Sequence, residues 1–219
     1  YFARPDSYVF DEQVYQCRKK MGWNLAMESA PDVDFVMPFP DSGIYPALGF
    51  AQRSGLHYEH AMIRNHYVGR TFIQPSQSMR SFGVRVKINP VREMIEGKRI
   101  CIIDDSIVRG TTMMTRVKKL RELGAKEVHI RISSPPVMSP CHYGIDFSSR
   151  GELIAAQHSL EEIQRKLDVD SLHYLSIEGL MGSVSKPQHY CMACFTGEYP
   201  VPCEECGDKF KLEGSCGSR

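Results

Sequence analysis

The sequence has no run of about 18 consecutive apolar residues, so its pattern supports no bilayer-spanning helix. It shows no basic, apolar, small-residue leader of the kind that directs secretion. These two absences set the expectation of a cytoplasmic protein with no membrane partner. Net charge is also nearly absent, at +1, which argues against a protein that coats nucleic acid. No internal repeat of roughly 20–50 residues is visible. The chain opens on Tyr1 rather than Met, and so reads as a processed product or a piece of something longer. Against these absences, 42% of the 219 residues are hydrophobic. That is enough for one large domain, or one domain with a small appendage.

One absence is local. From His60 to Arg92 there is no Asp or Glu, yet Arg64, Arg70, Arg80, Arg85, Lys87 and Arg92 fall there. Such a stretch is either a solvated basic loop or a surface that meets phosphates. Cysteine is not scarce, at eight residues. Five of them lie from Cys191 onward, and without a secretory signal metal ligation is a better reading than disulfides.

Between Asp11 and Met27 the residues Val14, Cys17, Met21 and Leu25 recur at helical spacing. Asp34–Pro38 reads as a buried strand. Asp41-Ser42-Gly43 then leads into Ile44, Ala47, Leu48 and Ala51 at helical spacing, which puts Asp41 or Ser42 where a helix begins. His57–Arg64 reads as a further strand, and Asn65–Lys87 as a loop too long to be an ordinary connector. Arg99–Ile103 is apolar on both faces, as a buried parallel strand requires. Met113, Met114, Val117, Leu120 and Leu123 mark an amphipathic helix stopped by Gly124, and Glu127–Ser133 is the next strand. Strand, helix and strand in succession predict an α/β fold with a mainly parallel sheet flanked by helices. Farther on, Ser159–Leu167 reads as a helix and Leu172–Ile177 as a short strand. The expected division is a main domain over residues 1–185, with a Cys-rich segment over 186–219 packing on it.

The chemistry concentrates at Ile100–Thr112. A buried strand delivers Asp104 and Asp105 to its carboxyl end, where open α/β sheets bind ligands. Ser106, Arg109, Gly110, Thr111 and Thr112 then form a short loop opening a helix. Loop amides, the helix N-terminus and two threonine hydroxyls make a cradle for one phosphate. The carboxylates repel phosphate and suit ribose hydroxyls or Mg2+. The Gly-Lys-[Ser/Thr] of a Walker motif is missing.

Residues 100–112 resemble the signature of type I phosphoribosyltransferases. Tyr1–Ser7, Pro38–Gly43 (Pro-Phe-Pro-Asp-Ser-Gly), Tyr67–Ile73 (Tyr-Val-Gly-Arg-Thr-Phe-Ile) and Cys191–Gly197 narrow it. Together they resemble the carboxyl-terminal half of the amidophosphoribosyltransferase family, over roughly residues 1–200. The resemblance implies that ammonia displaces pyrophosphate from 5-phosphoribosyl-1-pyrophosphate, giving 5-phosphoribosylamine at the start of purine synthesis. It implies Asp104 and Asp105 as ribose and Mg2+ carboxylates, and Ser42, between Asp41 and Gly43, as the pyrophosphate-side Mg2+ ligand. It implies Ser106 to Thr112 as the 5-phosphate loop. Arg64, Tyr67 and Arg70 fall on a loop expected to close over the substrate as its catalytic contacts.

The cysteines admit two readings. Cys191-x-x-Cys194 and Cys203-x-x-Cys206 have zinc-site spacing. The resemblance instead implies a 4Fe-4S cluster with Cys141, Cys191 and Cys194 as ligands. The family's fourth cysteine would precede Tyr1, so an incomplete cluster or a substitute from Cys203 or Cys206 is the alternative. The family's ammonia comes from glutamine on a glutaminase domain, which nothing here supplies, so the chain is expected to use free ammonia or a partner chain. Homo-oligomers inhibited by purine nucleotides are a further implication. Two rival readings are a phosphoribosyl-binding regulator without catalysis and a base-salvage phosphoribosyltransferase.

Overall fold

The computed structural model describes residues 1–64, 88–145 and 149–201. The basic loop at 65–87 and Cys203, Cys206 and Cys216 lie outside the described residues.

Two short strands, β1 (Tyr8–Val9) and β2 (Glu12–Gln13), pair antiparallel and lead into helix α1 (Val14–Glu28). Strand β3 (Phe35–Pro38) and helix α2 (Ile44–Ser54) follow, then β4 (Met62–Arg64) and β5 (Ile88–Pro90), which pair antiparallel. The short helix α3 (Arg92–Ile95) precedes β6 (Arg99–Asp104), α4 (Thr111–Glu122) and β7 (Glu127–Ile132). Helices α5 (Ile154–Gln157) and α6 (Leu160–Leu167), strand β8 (Ser171–Tyr174) and helices α7 (Ile177–Met181) and α8 (Ala193–Thr196) complete the described chain.

The central sheet has the order β3-β6-β7-β8 and every pair in it is parallel. This is the type I phosphoribosyltransferase arrangement expected from the sequence. Alternation along β6 explains the layers. Ile100 and Ile102 join a core with Met113, Val117 and Leu120 of α4 and Ile163 and Leu167 of α6. Cys101 and Ile103 face a second core with Met21 and Leu25 of α1 and Phe50 of α2. Pro38 lies beside Ile103 and Asp104 beside Ile132, so the strands end together at one rim.

Helices α1 and α2 cross at backbone distance. A Cβ on Gly22 would lie 1.8 Å from the Pro46 carbonyl oxygen, and one on Gly49 would lie 1.9 Å from that of Lys19. Only glycine fits either position.

Two sequence expectations are corrected. The segment 172–177 is not one strand: β8 ends at Tyr174, and Ser176 caps α7 by accepting from the Gly179 N–H. Of the expected strand from His57 to Arg64, only Met62–Arg64 forms one, with Tyr58 making an isolated bridge to Val36. Helix α6 starts as its sequence dictates, because Ser159 and Glu162 form a capping box. In the Cys-rich part, Cys194 and Phe195 are buried in the second core.

Candidate functional site

The rim of the sheet carries the site. Asp104 ends β6 and is 7% exposed. Its Oδ1 accepts two bonds, from the Ser42 hydroxyl at 2.8 Å and from the Asp105 N–H at 2.8 Å. Ser42 is therefore brought to Asp104 from the loop between β3 and α2, although 62 positions separate them. Its hydroxyl does not cap α2; the cap position is Gly43, with no side-chain bond. Gly43 is required by crowding, since a Cβ there would lie 2.0 Å from the Ile103 carbonyl oxygen. That carbonyl also accepts from the Phe39 N–H at 2.7 Å, clamping the loop to β6.

The two carboxylates are poorly solvated. Burial, then the neighbouring Asp105 charge, pushes the Asp104 carboxyl from about 3.8 up to about 7. Burial also raises Asp105, against the pull of Arg18. A group in this state binds a cation or a hydroxyl donor readily, because either supplies what water no longer does.

After Asp105 the chain turns through Ser106 to Gly110, whose φ of 76° is left-handed and suits glycine. Helix α4 begins at Thr111 with no side chain capping its N-terminus. Its first N–H groups are thus free for an anion. A cavity of about 260 Å3 opens here, lined by Asp104, the loop from Ser106 to Met113, and Arg116. Thr111 and Thr112 are exposed beside it.

The arginines divide. Arg109, on the loop, lines the cavity, is half-exposed and pairs with Glu152 at 2.9 Å. Arg64, at the end of β4, pairs with Asp41 of the β3–α2 loop. Tyr67 and Arg70 lie outside the described residues. Two further arginines escaped the sequence reading. Arg18 of α1 is 5% exposed and donates to the backbone carbonyls of Ser42 at 3.1 Å and Ala3 at 2.9 Å. It also stands 4.0 Å from Asp105. Arg116 of α4 places its guanidinium 3.3 Å from the Phe39 ring centroid. The available signal was positional: Arg18 follows Val14 by one helical turn on the buried face, and Arg116 follows Thr112 likewise.

The cysteines lie away from this cavity, against the core under α1 and α2. Cys194 is buried and Cys141 packs beside the same core, while Cys191 is exposed. Burial pushes the Cys194 thiol up to about 11, and Cys141 and then Cys191 add to the rise. Cys141 and Cys191 thus lie within electrostatic reach of Cys194. The Cys141 sulfur accepts from the Tyr143 N–H at 3.4 Å. Among the described residues, no three His, Cys, Asp or Glu side chains already stand in metal-holding positions.

No family model matches the chain. It is 53% identical over 213 residues to the amidophosphoribosyltransferase of Synechocystis, covering 97% of this chain and 43% of that protein. It is 54% identical to that of Archaeoglobus fulgidus over 211 residues, covering 94% of the chain and 46% of the relative. Among solved structures, glutamine phosphoribosylpyrophosphate amidotransferase from B. subtilis, complexed with ADP and GMP, superposes with a TM-score of 0.82 at 51% identity. The match covers 91% of this chain and 45% of that one. The chain thus spans somewhat under half the length of the relatives it matches. By sequence and by fold, this chain is a homologue of amidophosphoribosyltransferases and carries the type I phosphoribosyltransferase part of them.

Proposed function

We propose that this chain binds 5-phosphoribosyl-1-pyrophosphate and transfers its phosphoribosyl group to ammonia, releasing pyrophosphate and 5-phosphoribosylamine. The observation that carries the reading is the joined set of Ser42, Asp104 and Asp105 beside an uncapped helix N-terminus with Gly110, Thr111 and Thr112. The cradle takes the 5-phosphate through backbone N–H groups and the threonine hydroxyls. Asp104 and Asp105 accept from the ribose hydroxyls and, with Ser42, supply oxygen donors for Mg2+. The metal, when bound, neutralises charge on the departing pyrophosphate.

In the reaction the ammonia lone pair forms the new C–N bond at C1 while the C1–O bond to pyrophosphate breaks. The surplus proton leaves from nitrogen. The leaving group is already anionic, so the protein's task is to position the two partners and exclude water. Arg64, at the end of β4, pairs with Asp41 of the loop that carries Ser42.

In this reading the ammonia derives from glutamine, as the name of the B. subtilis glutamine phosphoribosylpyrophosphate amidotransferase suggests, and free ammonia serves as the nucleophile in a test of these 219 residues. Purine nucleotides are its inhibitors in this reading, which the ADP and GMP bound to the B. subtilis relative support; a homo-oligomer is its proposed working form. Cys141, Cys191 and Cys194 would hold a 4Fe-4S cluster, with zinc the alternative, given a fourth ligand from elsewhere and a rearrangement of the three side chains from the positions described. Neighbouring soft thiolates suit iron or zinc, and structural work fits a transfer that moves no electrons. Iron, sulfide and zinc analysis of anaerobically purified protein distinguishes the two metals.

The test of the transfer is pyrophosphate release from 5-phosphoribosyl-1-pyrophosphate with Mg2+ and ammonia. Binding without release supports a regulator, and turnover only with purine or pyrimidine bases supports a salvage enzyme.

A further inference from the structure

Among the described residues Arg116 is the cation of the cavity whose N–H groups take no hydrogen-bond acceptor. It lies one helical turn beyond Thr112 on α4, and helical side chains lean toward the N-terminus, so it reaches back beneath the phosphate cradle. It is largely withdrawn from water, which lowers its pKa to about 10. Among the described residues its guanidinium donates no hydrogen bond and forms no ion pair; it rests on the Phe39 ring at 3.3 Å. Arg109, the other arginine lining the cavity, is held by Glu152 at 2.9 Å. A guanidinium carries five donors and is rarely left half-buried with all of them idle. Phe39 fixes the plane of this one without using its N–H groups, which leaves them free for a ligand.

We propose that Arg116 is a substrate-contacting residue that donates to the phosphorylated ribose in this cavity. It stands one helical turn past Thr112 in a cavity wall that also carries Asp104, which sets it between the phosphate end and the ribose-hydroxyl end of that ligand. It thereby supplies the side-chain cation that the cradle's neutral amides and hydroxyls lack. This inference rests on the reading of the cavity as a phosphoribosyl site.

Ribose 5-phosphate is the probe. Calorimetric titration of the wild-type chain tests the reading itself: no binding there overturns the phosphoribosyl assignment, whatever Arg116 does. Given binding, Arg116→Gln is expected to weaken it about ten- to a hundredfold, the usual size of a lost charge-assisted pair. Lys118→Gln, on the exposed side of the same helix, removes an equal charge and is expected to bind as wild type. A folded Arg116→Gln chain that binds ribose 5-phosphate with unchanged affinity overturns the proposal. So does a Lys118→Gln chain weakened equally, since the effect would then be general charge. Should the Gln variant fail to fold, wild-type protein answers instead. Phenylglyoxal modification of Arg116, read by peptide mass spectrometry, is expected to slow at least about fivefold when ribose 5-phosphate saturates the site. Unchanged modification of Arg116 at saturating ligand overturns the proposal.

Discussion

Replacing Asp104 by asparagine is expected to make the unliganded chain more stable while abolishing transfer. In the unfolded chain this carboxyl loses its proton near 3.8, whereas in the fold it keeps it to about 7. Between those values the folded state binds the extra proton, so this group's contribution falls as pH rises through the window and is wholly unfavourable above it. The rise corresponds to roughly 4 kcal/mol at roughly 1.36 kcal/mol per tenfold change in acidity. Asp105 shares the effect, so neutralising Asp104 alone returns about 2–4 kcal/mol. Asparagine keeps an oxygen where Oδ1 accepts from Ser42 and from the Asp105 N–H, so those two bonds survive. Thermal melts of both proteins from about pH 5 to about pH 8 are the assay. At roughly 2–4 °C per kcal/mol for a chain of this size, the variant should melt several degrees higher at the alkaline end, with the gap shrinking toward acid. Its pyrophosphate release should fall about a hundredfold or more. A variant that melts with or below wild type at about pH 8, or a gap indifferent to pH, refutes the reasoning.

Arg18→Met removes a buried donor from the Ser42 and Ala3 carbonyls and a cation from Asp105, and should cost about 3–5 kcal/mol in urea unfolding. A loss below about 1 kcal/mol would mean water replaces it. Gly43→Ala drives a methyl into the Ile103 carbonyl and should lower the melting temperature through about 1–3 kcal/mol of strain, with a larger loss of pyrophosphate release. Ser159→Ala breaks the capping box of α6, far from the cavity, and should cost about 1 kcal/mol with transfer rates unchanged.

Much of the fold was legible because its signals are local. The apolar run of β6, the spacing Met113, Val117 and Leu120, and the capping Ser159 with Glu162 each state their structure within a few residues. The turn from Asp104 through Thr112 that lines the cavity was legible for the same reason, since it is continuous in sequence. What escaped depends on partners distant in sequence. Arg18 carries no local sign of its role, which depends on Ser42 and Asp105 brought to it from other elements. Ser42 reads as a helix cap, but its hydroxyl is taken by an acid from another strand. Ile177 is β-branched and extends an apolar run, yet Ser176 beside it starts a helix by capping Gly179. Arg109 reads as a member of the loop, and its pairing with Glu152, 43 residues on, is not visible locally.

The glycine-to-backbone crossing of α1 and α2 has a consequence for how this site can change over time. Helix α1 carries Arg18, and α2 follows directly from the loop of Ser42. Where Gly22 meets Pro46 and Gly49 meets Lys19, neither helix can slide or tilt without the other, because there are no side chains at those points to yield. Single substitutions at positions 22 and 49 are sterically closed, so the helix that carries Arg18 and the helix that follows Ser42 are held in one register. The region around Ser42 should therefore vary slowly and in concert, while the exposed faces of the same two helices are free to diverge.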